Sequence, residues 1–175
     1  MTDTLTERAR RVRFVIFDVD GVLTDGSLFL DDDGRQYKAF NSKDGQGMRM
    51  LADSGVQVGI LTGRRSGVVE HRMQDLGIRL VVQGRRDKLE ALDGLLTDAG
   101  VSAEETAYVG DDVVDLPVMR RVALAIAVAD AHALVREHAH YVTRQPGGRG
   151  AAREACEFIM EAQGTLQAAL TTYLG

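Results

Sequence analysis

The chain has 175 residues, of which 45% are hydrophobic, so it has enough apolar material to bury the core of one domain. Its net charge of -5 excludes a general electrostatic attraction to nucleic acid or to anionic membranes. No apolar stretch reaches the roughly 18 residues that a membrane span requires, and the single cysteine, Cys156, cannot form an internal disulfide. We therefore predict one cytoplasmic domain over residues 1–175, with neither nucleic acid nor membrane as a partner.

Short apolar runs alternate with helix-like segments along the chain. Strands are predicted over residues 13–17, 56–61, 80–82, 106–109, 123–128 and 141–142, and helices over 45–54, a segment ending near Leu76, 88–99 and 116–121. Strands separated by helices indicate βαβ units and a parallel sheet, and continuous apolar runs are typical of strands covered on both faces. The prediction is an α/β fold, a Rossmann-like three-layer sandwich with a mostly parallel sheet.

An insertion over residues 26–40 interrupts this alternation. Ser27 to Leu30 and Gln36 to Phe40 are strand-like, and Asp33-Gly34 between them is a hairpin signal. The insertion is too short to form a cap domain. Because a two-stranded hairpin is only marginally stable alone, and because this one carries five large apolar side chains, we expect it to pack against another surface. The alternative is a decorative surface hairpin.

Two acidic residues, Asp18 and Asp20, follow the first predicted strand, and Gly21 comes directly after them. A carboxylate can attack phosphorus and form an acyl-phosphate. A second carboxyl group beside it can protonate the leaving oxygen and later deprotonate water. Alternatively, the acidic residues simply end a strand in a solvated turn. The apolar strand before them and Val22-Leu23-Thr24 after them favour the catalytic interpretation.

A second acidic cluster, Asp111, Asp112 and Asp115, follows the predicted strand that ends at Val109. Sites form at the carboxyl ends of parallel strands, so Asp111 could complete a site that begins at Asp18. Magnesium prefers such hard oxygen ligands and is usually held by one or two carboxylates. The alternative is an N-cap cluster, in which the acidic residues stabilise the start of the following helix.

Anion-binding groups are expected near these carboxylates. Thr62, Gly63 and Arg64 follow another apolar strand, where a hydroxyl and free backbone N–H groups form an anion site. Lys88 opens a helix, where its charge opposes the helix dipole, and it could neutralise a phosphate and a nucleophile. Taken alone, Thr62 is an ordinary helix cap and Lys88 a surface lysine. As a set, the residues suit phosphoryl transfer, which depends on positioning and on charge neutralisation.

These residues resemble, in order and in strand context, the four motifs of haloacid dehalogenase superfamily phosphatases. The matching segments are Asp18 to Thr24, Thr62, Lys88 and Gly110 to Asp112, and the resemblance covers roughly residues 12–161. It implies that Asp18 is the nucleophile and Asp20 the general acid/base. It implies Mg²⁺ held by the Asp18 side chain, the Asp20 backbone carbonyl and the Asp111 side chain. It also implies that Thr62 and Lys88 hold the phosphoryl group, with Asp112 and Asp115 supporting the site from behind.

Longer segments are similar to the lidless branch that contains the 3-deoxy-D-manno-octulosonate 8-phosphate phosphatases. They cover residues 18–26, 38–45, 110–117 and 147–154. The resemblance implies a sugar phosphate substrate, a role in lipopolysaccharide synthesis and a homotetramer. In that tetramer the hairpins form a central barrel, and a C-terminal segment, here residues 151–175, helps to close a neighbouring active site.

Basic residues are candidates for binding the carboxylate of such a substrate, because arginine offers a fork that matches a carboxylate. They are Lys43, Arg64, Arg65 and Arg86, with Arg149 in the glycine-rich loop of residues 147–150 as a further substrate contact. The alternative for each is a solvated surface charge, and for the loop a plain linker to the last helix.

Three other functions compete with this interpretation. A phosphatase for another sugar acid, of the deoxynononate 9-phosphate type, would share the lidless frame. A phospho-acceptor signalling domain also uses clustered aspartates, but it lacks an acid/base two residues after the acceptor, so Asp20 favours turnover. A non-catalytic scaffold is disfavoured because Asp18, Asp20, Lys88 and Asp111 are all present.

Overall fold

A computed structural model of the chain describes residues 3–174; Met1, Thr2 and Gly175, which belong to the predicted domain of residues 1–175, lie outside the described part. The strands are β1 (Phe14–Phe17), β2 (Phe29–Leu30), β3 (Gln36–Tyr37), β4 (Gln57–Thr62), β5 (Leu80–Gln83), β6 (Thr106–Gly110), β7 (Leu124–Ala127) and β8 (Tyr141–Val142). The helices are α1 (Leu5–Arg10), α2 (Ser42–Asp53), α3 (Gly67–Leu76), α4 (Lys88–Ala99), α5 (Leu116–Met119), α6 (Ala133–His138), α7 (Ala151–Gln163) and α8 (Leu166–Thr171).

Six of the strands form one parallel sheet in the order β5-β4-β1-β6-β7-β8, and β2 and β3 form a separate antiparallel pair. Helices flank the sheet, with α2 packed against α7 and α4 against α5. Between β1 and α2 the described chain contains only the β2–β3 hairpin, so no cap domain covers the sheet there. The predicted α/β class, the mostly parallel sheet and the hairpin are therefore confirmed. No helix within residues 3–174 combines the length and the apolar character needed to cross a bilayer.

The central strands are buried because both of their faces are covered. All four residues of β1 are buried, and it pairs in parallel with β4 on one side and β6 on the other. Each large apolar side chain buried in this way contributes roughly 1.5–3 kcal/mol to stability. The packing of the sheet is therefore stable. The polar residues at the ends of β1, β4 and β6 all lie at its carboxyl edge.

Some element boundaries differ from the predicted ones. Helix α2 begins three residues earlier than expected, because the Asn41 side chain accepts a hydrogen bond from the Lys43 N–H and so caps the helix. The helix predicted over 116–121 is the short α5, which ends at Met119, and a 3₁₀ turn over Val113–Asp115 precedes it. Helices α1 and α6 lie where no helix was predicted. Each has only 6 residues, which is too short for an amphipathic period to stand out in the sequence.

The hairpin is shorter than predicted and faces solvent. Its paired strands have two residues each, and Phe29 and Tyr37 lie opposite one another. Phe40 packs against the core, but Leu28, Phe29, Leu30 and Tyr37 are 44–62% exposed. Within the described chain, these four apolar side chains remain largely uncovered.

Candidate active site

A cavity of about 300 Å³ opens at the carboxyl edge of the sheet, where β1, β4 and β6 end. It brings together most of the predicted site residues: Asp18, Asp20, Thr62, Gly63, Arg64, Lys88, Asp111 and Asp112, together with Gly26, Leu28 and Val114. A larger cavity of about 870 Å³ lies beside α3 and β5, but none of these carboxylates line it. The chemistry points to the smaller cavity as the candidate site.

Lys88 is the buried cation of this site. Its Nζ lies 2.9 Å from Asp18 Oδ2 and 2.7 Å from Asp115 Oδ1. It also donates to the hydroxyl of Tyr108 at 3.2 Å. Burial alone would lower the pKa of Lys88, but the charges of Asp18 and Asp115 outweigh it and raise that pKa. The ammonium is therefore held charged, with all three of its N–H groups directed at named partners.

Asp115 organises the loop that follows β6. Its Oδ2 accepts hydrogen bonds from the backbone N–H groups of Asp111 at 2.9 Å and Asp112 at 3.2 Å. Its Oδ1 accepts from Lys88 and, at 2.7 Å, from the Tyr108 hydroxyl. Asp112 caps the following 3₁₀ turn by accepting from Val113 N–H at 2.8 Å. The capping alternative therefore describes Asp112, whereas Asp111 faces the cavity.

Tyr108 belongs to this network, but sequence reasoning placed it only within an apolar strand. It is fully buried, and its hydroxyl joins Lys88 and Asp115. Burial, and then the charge of Asp115, raises the pKa of Tyr108 well above its usual value. A tyrosine inside an apolar run needs a buried hydrogen-bond partner. This requirement could have indicated that Tyr108 contacts polar residues of the site.

The carboxylates fit a hard divalent cation. Single carboxylate oxygens of Asp18, Asp111 and Asp115 lie within 4.8 Å of one another. Asp111 Oδ1 is buried and has no hydrogen-bond partner among the described residues. Asp115 already accepts from Lys88, Tyr108 and two backbone N–H groups, so Asp18 and Asp111 are the candidate metal ligands. Oxygen donors of this kind suit Mg²⁺.

The pKa values of Asp18 and Asp111 reflect the same crowding of carboxyl groups. Burial, followed by the charge of Asp115, raises the pKa of Asp18 to about 6. The same two causes raise the pKa of Asp111 to about 8. Without a cation the site disfavours negative charge, so a dication would relieve this repulsion.

Glycines bring backbone close to these side chains. Gly21 has φ +87°, and a Cβ there would lie 2.0 Å from Asp111 Oδ2. A side chain at Gly147 would lie 1.7 Å from the carbonyl oxygen of Gly21, and Gly148 N–H donates to Val22 O at 2.8 Å. The loop of residues 147–150 therefore packs directly on the loop that carries Asp20, and it acts as a support for that loop.

Asp20 lies at the mouth of the cavity between two cations. Its Oδ1 contacts the ammonium of Lys38, and its Oδ2 lies 3.8 Å from Arg64 Nε. Sequence reasoning missed Lys38 as a site residue, although it begins one of the segments on which the family resemblance rests. Successive side chains of an extended chain point to opposite faces, and this alternation along the hairpin could have indicated that Lys38 points inward.

Four predicted substrate residues, Lys43, Arg65, Arg86 and Arg149, do not line the cavity, and Arg65 lines the larger one beside α3 instead. Lys43 and Arg86 are exposed, and neither belongs to the cavity lining. Arg149 pairs with Asp25 at 3.3 Å and its side chain is largely exposed. Surface charges carry no periodic pattern, so the sequence alone could not separate these residues from Arg64, which does line the cavity.

Known proteins are similar to this chain over most of its length. A family model described as a haloacid dehalogenase-like hydrolase matches residues 80–154. The 3-deoxy-D-manno-octulosonate 8-phosphate phosphatase of Yersinia pestis is 47% identical over 97% of this chain and 90% of that protein.

Solved structures match over nearly the whole length. A probable YrbI family phosphatase from Pseudomonas syringae is 53% identical, with a TM-score of 0.95 over 98% of this chain and 97% of that one. The 3-deoxy-D-manno-octulosonate 8-phosphate phosphatase of Moraxella catarrhalis, solved with a magnesium ion, a phosphate ion and a KDO molecule, is 38% identical, with a TM-score of 0.94 over 97% of both chains.

Proposed function

Because the chain belongs to the haloacid dehalogenase-like hydrolases, in the branch of the 3-deoxy-D-manno-octulosonate 8-phosphate phosphatases, we propose that it hydrolyses this sugar-acid phosphate at the cavity around Asp18. It is a phosphomonoester hydrolase, and Mg²⁺ is its cofactor. The proposed site rests on one observation: Asp18, Lys88 and Asp111 line the same cavity. Asp18 follows β1, Lys88 begins α4 and Asp111 follows β6.

In the proposed mechanism Asp18 is the nucleophile. Its carboxylate attacks phosphorus, the bond from phosphorus to the sugar oxygen breaks, and an aspartyl-phosphate forms. Lys88, 2.9 Å from Asp18 Oδ2, holds that carboxylate in place. Asp18 Oδ1 accepts from Val19 N–H at 2.7 Å, so both oxygens of the nucleophile are oriented by the protein.

Asp20 acts as the acid and then as the base. It gives a proton to the departing sugar oxygen and then takes one from the water that hydrolyses the aspartyl-phosphate, which returns both carboxyl groups to their starting states. Thr62 and Gly63, at the end of β4, line the cavity where the phosphoryl oxygens would lie. The Thr62 hydroxyl would donate to these oxygens, and the Lys88 ammonium, which lines the same cavity, would supply positive charge beside them.

The charge of the site explains the need for a metal. Three clustered carboxylates, those of Asp18, Asp111 and Asp115, surround the single charge of Lys88, so this cluster is negatively charged when all three are ionised. A phosphate ester would be repelled by that charge. Mg²⁺ would be held by Asp18, Asp111 and the Asp20 backbone carbonyl, and it would supply the positive charge that a phosphoryl group needs during transfer.

Arg64 is the favoured residue for the substrate carboxylate. It lines the cavity, and its side chain is 53% exposed, so the guanidinium is free to reorient towards a ligand. Lys43, Arg86 and Arg149 would contact substrate only through movement or through a neighbouring subunit. Their predicted role stays a proposal.

We also propose a homotetramer. The exposed apolar side chains of the hairpin need a covering surface, and the symmetry of a closed assembly supplies one. In the described part of the C-terminal segment, Tyr173 and Leu174 are exposed, and they would lie near a neighbouring cavity. A role in lipopolysaccharide synthesis and a cytoplasmic location accompany this substrate and stay predictions.

Phosphate release tests the function. The protein is assayed with 3-deoxy-D-manno-octulosonate 8-phosphate, a deoxynononate 9-phosphate and simple hexose phosphates, each with Mg²⁺ and with a chelator. Strong Mg²⁺-dependent preference for the octulosonate ester supports the proposal. Preference for the deoxynononate ester would replace the substrate and keep the mechanism. No release from any ester by folded, Mg²⁺-loaded protein would overturn the proposed function.

A further inference from the structure

Lys38 follows β3 of the hairpin and is buried against the catalytic loop. Tyr37 faces solvent, whereas Gln36 and Lys38 turn inward, as alternation along an extended chain requires. The Lys38 side chain is only 2% exposed, and its ammonium contacts Asp20 Oδ1. Within residues 3–174, Asp20 is the one carboxylate at ion-pair distance from it.

This contact fixes one oxygen of Asp20. The torsion that turns a carboxylate has a broad energy profile, so an unrestrained Asp20 could present either oxygen to a ligand. Lys38 holds Oδ1 from the hairpin side, and Oδ2 is left towards Arg64 and the cavity that Asp20 lines. An ammonium buried without its counter-ion is costly, so the Lys38 ammonium is stabilised in its contact with Asp20 Oδ1.

We propose that Lys38 is a positioning residue for the acid/base step: it holds Asp20 so that its free oxygen meets the leaving oxygen of the sugar. This rests on the proposed role of Asp20. Proton transfer requires hydrogen-bond distance between the acid and the leaving oxygen, so loss of the restraint weakens that transfer. The hairpin therefore serves the chemistry in cis, in addition to any assembly that it supports.

The choice of leaving group separates this role from a structural one. A sugar alkoxide is a poor leaving group and needs a proton from Asp20, whereas 4-nitrophenolate leaves without one. A salt bridge that merely anchored the hairpin would affect both esters alike. The ratio of kcat/KM for the sugar phosphate to kcat/KM for 4-nitrophenyl phosphate is therefore the diagnostic quantity.

The experiment compares Lys38→Met with the unmodified protein in saturating Mg²⁺. We expect kcat/KM on the sugar phosphate to fall by about 10–100-fold, within the range that general acid catalysis contributes. The kcat/KM on 4-nitrophenyl phosphate should fall by less than about 3-fold, because departure of that leaving group does not require the proton. Lys38→Arg, which keeps a cationic donor, should recover part of the loss on the sugar phosphate.

Arg35→Met is the matched control, since Arg35 is a basic residue of the same hairpin whose ion pairs within residues 3–174 are with Asp31 and Asp33 at the surface. It should leave both activities unchanged. If Lys38→Met does not fold, Lys38→Gln is compared in the same way, with its rate on the aryl ester as the measure of folded sites.

Equal losses on the two esters, or no loss on either, would overturn the proposal and leave the proposed function standing. Inactivity of the unmodified protein on both esters would overturn the proposed function, and this proposal with it. Only the selective loss on the sugar phosphate supports a positioning role.

Discussion

Polar side chains in the cavity around Asp18 are paired with one another, whereas the apolar side chains of the β2–β3 hairpin are exposed. In the cavity, Lys88 directs its three N–H groups to Asp18, Asp115 and Tyr108 of the same chain. On the hairpin, Phe29 and other large apolar residues are more than 40% exposed. The cavity residues fit a cation, whereas the exposed apolar side chains of the hairpin fit a covering surface. Chemistry and assembly therefore place different demands on this chain, and substitution of a cavity residue should differ in its effect from substitution of an exposed apolar residue of the hairpin.

The largest effect is expected from Asp18→Asn. An amide is a poor nucleophile, so turnover of every ester should fall by at least about 10³-fold, as is typical when a nucleophile is removed. The measurement is phosphate release, with circular dichroism as the test of folding. Because the hairpin is untouched, the oligomeric state should not change. Turnover close to that of the unmodified protein would contradict the role of Asp18.

Lys88→Met should reduce both activity and stability. It leaves the buried carboxylates of Asp18 and Asp115 without their counter-charge, and breaking a buried ion pair in this way costs about 3–5 kcal/mol. Urea unfolding of metal-free protein measures the change in the free energy of unfolding. Lys43→Met is the control, since Lys43 is exposed, and it should change that free energy by less than about 0.5 kcal/mol. Equal stability of the two variants would mean that the Lys88 network is not a stabilising contact.

Metal-free protein should lose stability as the pH rises from about 5 to above 8. The folded-state pKa values of Asp18, about 6, and Asp111, about 8, lie above the ordinary value of 3.8. The stabilising contribution of such groups is fully present below their unfolded pKa and is lost as pH rises through the folded one. Each pKa unit corresponds to about 1.4 kcal/mol, so a decrease in melting temperature of several degrees is measurable.

The same linkage predicts that Mg²⁺ binds with release of protons and more tightly at pH 8 than at pH 6. Thermal melting with and without Mg²⁺ at the two pH values checks this. Asp111→Asn is the comparison variant, because it removes the group with the higher pKa. Its metal-free melting temperature should depend less on pH above 6. An unchanged pH dependence would show that Asp111 is not the titrating group.

The smallest effect on the fold is expected from Phe29→Ser combined with Leu30→Ser. Both side chains are exposed, so secondary structure should be retained, and the free energy of unfolding of the subunit should change by no more than about 0.5 kcal/mol each. Light scattering should show a smaller assembly than that of the unmodified protein. Leu134→Ser, which replaces another exposed apolar side chain on α6, should keep the assembly. If Leu134→Ser alone caused dissociation, the interface would lie at α6 and not at the hairpin.

The sheet and the cavity could be predicted because their signals are local in the sequence. Each central strand is a continuous apolar run, and each ends at the polar residue that enters the site, as at Asp18, Thr62 and Asp111. Helix α4 has the predicted bounds, because Asp87 caps its first turn and Gly100 follows its last residue. Where periodicity, caps and chain order agree, the fold is determined before any tertiary contact is known.

What the sequence could not provide depends on contacts between distant segments. Lys38 reaches Asp20 only because the hairpin folds back over the catalytic loop, and Tyr108 is a site residue only because α4 presents Lys88 to it. Arg149 was assigned to the substrate because it lies in a glycine-rich loop, yet those glycines serve close packing against Gly21. Spacing along the chain does not reveal which of several surface cations faces a cavity.

The packing of Gly147 and Gly148 on the loop of Asp20 also has a consequence for biosynthesis. The nucleophile leaves the ribosome long before Gly147 does, so the loop beside it lacks its support until about 130 further residues have been made. At the usual rate of about 5–20 residues per second, this interval lasts roughly 6 to 26 s. During that time the nascent chain carries a nucleophile without a finished active site, so phosphatase activity begins only after the loop of residues 147–150 has been made.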